Sequence, residues 1–267
     1  MITSTANDRI KSIRKLREKK FRSETGTFFI EGIRIVVEAM QAGNQLLTLI
    51  VSPELVQSEV IGEVLEAAQK KGIEVLEVNK VVFESFSLKE GPQGVAAIVK
   101  QKWDSITDVD WQHPGLWLGL DAVADPGNLG TIMRTMDAVA ANGILLIGPC
   151  TDPYDPSAIR ASMGAVFSLK FVKTPVEEMC ELKRSRNLFL VGTSDAAKTD
   201  YQGINYPDNM VLMMGSERQG LQKPLADLCE HVVSIPMAGT SDSLNLAVAT
   251  GVLLYEVYNQ HRRKTSA

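Results

Sequence analysis

The chain has little cysteine, histidine or aromatic content: three Cys, three His, and 6% Phe, Trp and Tyr in 267 residues. Cys150, Cys180 and Cys229 are odd in number and scattered, so they build no disulfide framework and fit the reduced thiols of a cytoplasmic protein. His113, His231 and His261 are as dispersed, and nothing stands at a metal-ligand spacing, so no metal is expected. No apolar run approaches bilayer thickness; "GILLIG" is far too short. The basic N-terminus has no apolar segment after it, which predicts neither a secretory signal nor a membrane partner. Several active-site signatures are missing too. No G-x-G-x-x-G follows an apolar run, and no G-x-S-x-G occurs. "GSERQG" spaces its glycines like the start of a phosphate loop, but Leu221 and Gln222 stand where Lys and Ser or Thr are needed. Dinucleotide, P-loop and serine-hydrolase chemistry therefore lack support. There is no internal repeat and no low-complexity tract.

What is present is an ordinary globular composition, 45% hydrophobic and 22% charged, long enough for two domains. The formal net charge is −4, but its distribution is uneven. From Arg9 to Arg22, "RIKSIRKLREKKFR" carries Arg9, Lys11, Arg14, Lys15, Arg17, Lys19, Lys20 and Arg22 against one acid. Ile10, Ile13, Leu16 and Phe21 give this stretch one apolar stripe, so it reads as a helix capped by Asn7 or Asp8. Most such runs are solvated surface. Eight clustered cations in an acidic chain also fit contact with a polyanion, and these eight are the candidate phosphate contacts.

Residues 1–100 read as a small α/β domain. "TFFI", "LLTLIVS", "IEVLEV" and "GVAAIV" are strands; "EGIRIVVEAMQAG" and "SEVIGEVLEAAQKKG" are helices, each ending at a glycine. Residues 101–114 are polar, aperiodic and end at Pro114, so they read as a linker. Residues 115–267 alternate more cleanly. "LWLGLD", "GILLIG", "SLKFVKT", "NLFLVGTS" and "NMVLMMG" are strands. "NLGTIMRTMDAVAA", "DPSAIRASMGAVF" and "VEEMCELKRSR" are helical crossovers, and "SLNLAVATGVLLYEVYNQHRRK" is a long closing helix. Apolar strands joined by helices predict a parallel sheet covered on both faces. Ligands then sit at the carboxyl ends of the strands.

Three loops there are unusual: "DPGNLGTIMRT" after the first strand of this half, "MGSERQGL" and "IPMAGTSDSLNLAVATG". Turn chemistry alone would explain much of each, with Gly215 and Gly220 at positive φ, Pro236 as a stiff exit and Ser243 as a helix N-cap. Taken together and in this order, however, they resemble motifs 1, 2 and 3 of the SpoU (TrmH-like) RNA ribose 2'-O-methyltransferases of the SPOUT superfamily. "LREKKFRSETGTFFIEGIRIVVEA" and "GPQGVAAIV" resemble the ribosomal-protein-like substrate-binding domain of the ribosomal-RNA members. Arg218 departs from the small residue many relatives carry.

The resemblance implies a parallel sheet closed by a trefoil knot, S-adenosyl-L-methionine as methyl donor, a homodimer, and RNA as acceptor, first of all 23S-type ribosomal RNA. It implies Thr193, Gly215, Ile235, Met237 and Leu244 against the cofactor, and Asn128, Arg134, Glu217, Ser243 and Asn245 as the catalytic set. Asn128 and Asn245 suit the holding of loops and ribose, and Glu217 the orienting of Arg134 or a loop amide. Arg134 suits a phosphate or a developing alkoxide better than it suits proton abstraction. Arg160 and Ser162 are further candidates for substrate contact. Transfer-RNA methylation, an RNA-binding protein with an inactive methyltransferase domain, and a small-molecule methyltransferase are the competing readings.

Overall fold

The computed structural model describes residues 1–267 apart from Gln112, Asn187, Ser266 and Ala267, with Thr265 described for its main chain alone. The chain divides into two units, residues 1–101 with 154–167, and residues 102–153 with 168–267. The segment around "DPSAIRASMGAVF", read as a crossover of the second half, does join two adjacent parallel strands of that half but groups with the first unit.

The first unit runs α1 (Asp8–Lys15), α2 (Lys19–Thr25), β1 (Thr27–Glu31), α3 (Ile33–Gln41), β2 (Leu46–Val51), α4 (Ile61–Lys70), β3 (Glu74–Glu77), α5 (Lys80–Phe86) and β4 (Val95–Lys100). Its sheet has the order β1-β4-β2-β3; β4 is antiparallel to β1 and β2, while β3 is parallel to β2. Ile10, Ile13 and Leu16 bury their stripe beside Phe29, Val82, Phe83 and Phe86. Asn7 caps α1 by accepting from the Arg9 N–H at 2.9 Å.

The single basic helix expected over Arg9–Arg22 is two helices. Arg22 is the cause. It is 1% exposed, and its guanidinium donates to the carbonyls of Leu16 (3.0 Å) and Arg17 (2.7 Å) and reaches Asp155 Oδ2 at 3.3 Å. A buried cation on the free carbonyls at the end of α1 stabilises the break. Arg22 is therefore withdrawn from any phosphate contact. Arg17 donates to the Phe86 and Ser87 carbonyls, Arg14 to the Thr5 carbonyl, Arg9 pairs with Glu74, and Lys11 with Asp8. Lys15, Lys19 and Lys20 remain exposed.

The second unit runs β5 (Gly115–Asp121), α6 (Pro126–Ala138) and β6 (Gly143–Ile147). The chain then passes through α7 (Pro156–Ser162), which groups with the first unit, and returns as β7 (Lys170–Thr174), α8 (Val176–Ser185), β8 (Phe189–Thr193), β9 (Thr199–Asp200), β10 (Asn209–Met214), α9 (Lys223–Ala226), β11 (His231–Ser234) and α10 (Leu246–Thr265). All seven strands are parallel, in the order β7-β6-β5-β10-β8-β11-β9. β5, β6 and β10 are buried almost end to end, as a sheet covered on both faces requires.

The polar stretch expected as a linker, 101–114, is not free chain. Ile106, Val109 and Trp111 bury themselves beside Trp117, Leu145 and Met213. Trp111 donates its indole N–H to the Ile106 carbonyl at 3.3 Å, and its own carbonyl accepts from Asn209 at 2.6 Å. At about 1.5–3 kcal/mol for each large apolar side chain buried, three such residues outweigh a polar surrounding. Among the described residues no helix is long and apolar enough to cross a membrane, and no three His, Cys, Asp or Glu side chains come together.

Candidate active site

The loops that follow β8, β10 and β11 enclose a cleft of about 950 Å³ at the carboxyl ends of those strands. This is where a parallel sheet presents ligands, and the volume lies in the roughly 300–1,000 Å³ range of small-molecule sites. Its lining includes Thr193, Gly215, Glu217, Ile235, Met237, Ser243, Leu244 and Asn245.

Three loops are locked together by side chains. After β5, Asp125 caps α6 by accepting from the Asn128 N–H at 2.7 Å, with Pro126 pre-set in the first turn. That places the Asn128 side chain at the helix mouth. Its amide nitrogen donates to Glu217 Oε1 at 2.6 Å, and its amide oxygen accepts from Asn245 Nδ2 at 3.0 Å. Asn245 in turn accepts from the N–H groups of Ala247 (2.9 Å) and Val248 (3.3 Å). This chain fixes every amide orientation. The helix N–H groups claim the Asn245 oxygen, so its nitrogen must face Asn128. Asn128 must then answer with oxygen and offer its nitrogen to the Glu217 carboxylate.

The loop after β10 is a tight turn. The Gly220 N–H donates to the Ser216 carbonyl at 2.9 Å, and Gly220 sits at φ +65°. Gly215 is required for a different reason from the positive φ expected of it. A Cβ there would stand 1.9 Å from the Gly220 carbonyl carbon and 2.0 Å from the Leu221 nitrogen. The far end of the turn is tied to the sheet by a residue that the sequence motifs did not single out. Asp121, fully buried at the end of β5, accepts from the Gln222 main chain at 2.8 Å and from its side chain at 2.6 Å. Its place as the last residue of a strand that runs into motif 1 was the available signal.

The third loop is unlike the others. Among the described residues, no hydrogen bond involves any residue from Ile235 to Leu244. Met237 and Leu244 are 39% and 37% exposed. Such a loop offers main-chain donors, main-chain acceptors and apolar surface to a ligand at once. Those groups fit the parts of S-adenosyl-L-methionine: an adenine edge and ribose hydroxyls for the main chain, and an apolar wall for the ring face.

The candidate residues separate accordingly. Thr193 ends β8 with its hydroxyl donated to the Met213 carbonyl at 3.1 Å. Ser243 lines the cleft but is not the helix cap; Asn245 takes that place, so α10 begins at Leu246. Glu217 holds a loop amide, not Arg134. Arg134 lies on α6, exposed, and its side chain has no hydrogen bond or ion pair among the described residues. Arg218 is exposed on the turn. In the first unit Arg160 is exposed, whereas Ser162 is fully buried and donates to the Ile159 carbonyl at 2.8 Å, which removes it as a substrate contact.

Comparison with known proteins places this geometry. Residues 115–255 match the SpoU rRNA Methylase family, and residues 7–97 match the MRM3-like substrate binding domain. A 23S rRNA (uridine(2479)-2'-O)-methyltransferase of Streptomyces viridochromogenes is 31% identical over 251 residues, 92% of this chain and 87% of that one. RlmP of Bacillus subtilis, a 23S rRNA (guanosine(2553)-2'-O)-methyltransferase, is 29% identical, with 96% and 98% covered. The crystal structure of an AdoMet-bound rRNA methyltransferase from Sinorhizobium meliloti is 37% identical and aligns with a TM-score of 0.90 over 97% of each chain. The chain belongs to the SpoU rRNA methylase family.

Proposed function

We propose that this protein methylates a ribose 2'-hydroxyl in RNA, with large-subunit ribosomal RNA as the acceptor and S-adenosyl-L-methionine as the donor. The observation that carries the reading is the Glu217–Asn128–Asn245 chain, in which Asn128 ties together two residues that line the cleft, Glu217 and Asn245. Bound there, the cofactor supplies an electrophilic methyl group on a sulfonium. Ile235, Met237 and Leu244 would hold it by main chain and apolar contact, with Thr193 and Gly215 also lining the cleft.

Asn128, Glu217 and Asn245 act as positioning residues, because their polar atoms are engaged with one another and with the start of α10. Arg134 is the group left to meet the acceptor. A guanidinium keeps its proton at any working pH, so it serves as a clamp on a phosphate or on the oxygen that gains charge. The 2'-proton leaves to water or to a neighbouring phosphate oxygen.

The reading includes a homodimer. Val248, Tyr255 and Tyr258 leave an exposed apolar stripe along α10, 37% to 53% exposed, and Arg134 stands on α6, which packs against α10. It also includes the trefoil knot of the family and a cytoplasmic setting, which the scattered thiols favour.

The test is methyl transfer from labelled S-adenosyl-L-methionine to purified ribosomal and transfer RNA, followed by nuclease digestion and mass spectrometry. The expected product is one 2'-O-methylnucleoside from 23S-type RNA. Label on a base, or no label in either RNA, would overturn the reading.

A further inference from the structure

The first unit holds a second cavity, of about 340 Å³, that the methyl-transfer site does not use. Its wall is apolar: Ile30, Ile35, Leu88, Ile159 and Met163 line it. Its rim carries charge. Lys89 and Arg160 are both exposed, and their side chains hold no hydrogen bond or ion pair among the described residues. The remaining rim cation, Arg34, is paired with Glu38 at 2.8 Å. The start of α3 lines the same space through Gly32, Arg34 and Ile35; its N-cap, Gly32, has no side chain, and Gln93 Oε1 accepts the Ile33 N–H at 3.4 Å.

The cavity is built by specific contacts. The buried Glu31 carboxylate accepts from the Ser87 hydroxyl at 2.5 Å and from the Leu88 N–H at 2.7 Å. This pins the turn that carries Leu88 and Lys89 to the rim. On the other side, Gly164 has φ +94°, and a Cβ there would meet Glu38 Oε2 at 2.3 Å. Just before it, Met163 is held at φ 51° and is 52% exposed. A bulky residue in the left-handed region with its side chain in water is costly, and such strain concentrates at binding sites.

We propose that this cavity is a nucleotide subsite for one unstacked RNA residue. The base lies against Ile35, Leu88, Ile159 and Met163, and its phosphates meet Lys89 and Arg160. The chemistry converges on that occupant. Single-stranded RNA is read by splaying a base onto an apolar or polarisable surface, and a methionine sulfur suits an aromatic ring. Two free cations suit the flanking phosphates. The volume, near the lower end of small-molecule sites, accommodates one base with its ribose and excludes a folded element. The subsite lies outside the transfer chemistry, and the proposal rests on RNA being the acceptor.

The test uses the full chain with methyl-labelled Ile and Met and the four nucleoside 5'-monophosphates as probes. Saturable shifts are expected at the Ile35, Ile159 and Met163 methyls. They should vanish in the Lys89→Ala, Arg160→Ala double variant. With ribosomal RNA, that variant should bind about tenfold more weakly, and its log-affinity against log-salt slope should be shallower by about 0.7 for each phosphate no longer neutralised. Affinity for S-adenosyl-L-methionine should not change. Met163→Gly separates binding from folding. It relieves the φ 51° conformation, so thermal stability should hold or rise while nucleotide affinity falls. Methyls that do not respond to any nucleotide, or variants that bind RNA like the parent, would overturn the subsite. A parent protein whose methyls respond but which methylates no RNA would support the subsite and remove the transferase reading instead.

Discussion

Replacing Asn128 by Ala removes one side chain and two hydrogen bonds, 2.6 Å to the Glu217 carboxylate and 3.0 Å to Asn245. The main chain at that position stays capped by Asp125, so α6 itself should persist. A hydrogen bond to a charged group contributes about 1.5–3 kcal/mol and a neutral one about 0.5–1.5. Both bonds here are exposed, so the low ends apply, giving about 2 kcal/mol. If that energy serves to hold the cofactor loops in register, the dissociation constant of S-adenosyl-L-methionine rises by roughly tenfold to thirtyfold. Titration calorimetry reads it directly. If the loss stays local, the melting temperature falls by less than the roughly 2–4 °C per kcal/mol of a global change. Asn128→Asp sharpens the test. It keeps the oxygen that accepts from Asn245 but sets a carboxylate against that of Glu217, so it should weaken cofactor binding at least as much as the Ala variant. A dissociation constant within twofold of the parent for Asn128→Ala would refute the claim that the interlock organises the cleft.

Arg134→Ala should lower methyl transfer at least a hundredfold with cofactor affinity nearly intact. A large loss of that affinity in a folded variant would reassign the residue. Leu244→Arg should do the reverse, abolishing cofactor binding in calorimetry while the first unit still binds RNA. Gln in place of Lys15, Lys19 and Lys20 should weaken RNA binding and flatten its salt slope by about 0.7 to 0.9 per phosphate released, leaving turnover at saturating RNA unchanged. An unchanged slope would mark the three lysines as a solvated face. Glu230 supplies a pH test of stability. Burial pushes its carboxyl up, but the Lys183 ammonium and the Leu190 N–H at 2.7 Å outweigh that and hold it below the usual carboxylate range. A depressed carboxyl stabilises the fold above its unfolded value near about 4.3 and loses that contribution as the pH falls through the folded one. The melting-temperature gap between the parent and Glu230→Gln should be full at about pH 6 and close progressively below about pH 4.

The sheet of the second unit was legible because its central strands are buried on both faces, so "LWLGLD", "GILLIG" and "NMVLMMG" are apolar throughout and need no partner to be recognised. β11 and β9 were not legible for the opposite reason. "HVVS" has two apolar residues and "TD" none, and both become strands by joining the edge beside β8. Trp111 was hidden in a polar stretch because one large ring can anchor a segment without giving it periodicity. The break between α1 and α2 depends on where Arg22 points, and charge patterning describes a cation's position in sequence, not its direction. The site divides along the same line. Asn128 and Asn245 stood out as amides at helix starts. Their bond to each other spans 117 residues and forms because α6 and α10 pack against each other.

The difference between Arg134 and the residues around it is a matter of commitment. Asp121 is held by Gln222, Asn128 by Glu217 and Asn245, Thr193 by the Met213 carbonyl, and Asn245 by the first turn of α10. Each of these groups has its hydrogen-bonding partner within the chain, so an incoming ligand meets a surface whose shape is already fixed. That is the condition under which binding energy is not lost to ordering the site. The Arg134 guanidinium is all donors and finds no acceptor within the described chain. An exposed arginine without a partner costs little in water and gains most when a phosphate or an alkoxide arrives, which is when a transferase needs a cation. Had Glu217 paired with Arg134, the cation would have been neutralised before the acceptor came. By giving that carboxylate to an asparagine, the structure keeps the loop tied and leaves the guanidinium without an acceptor among the described residues.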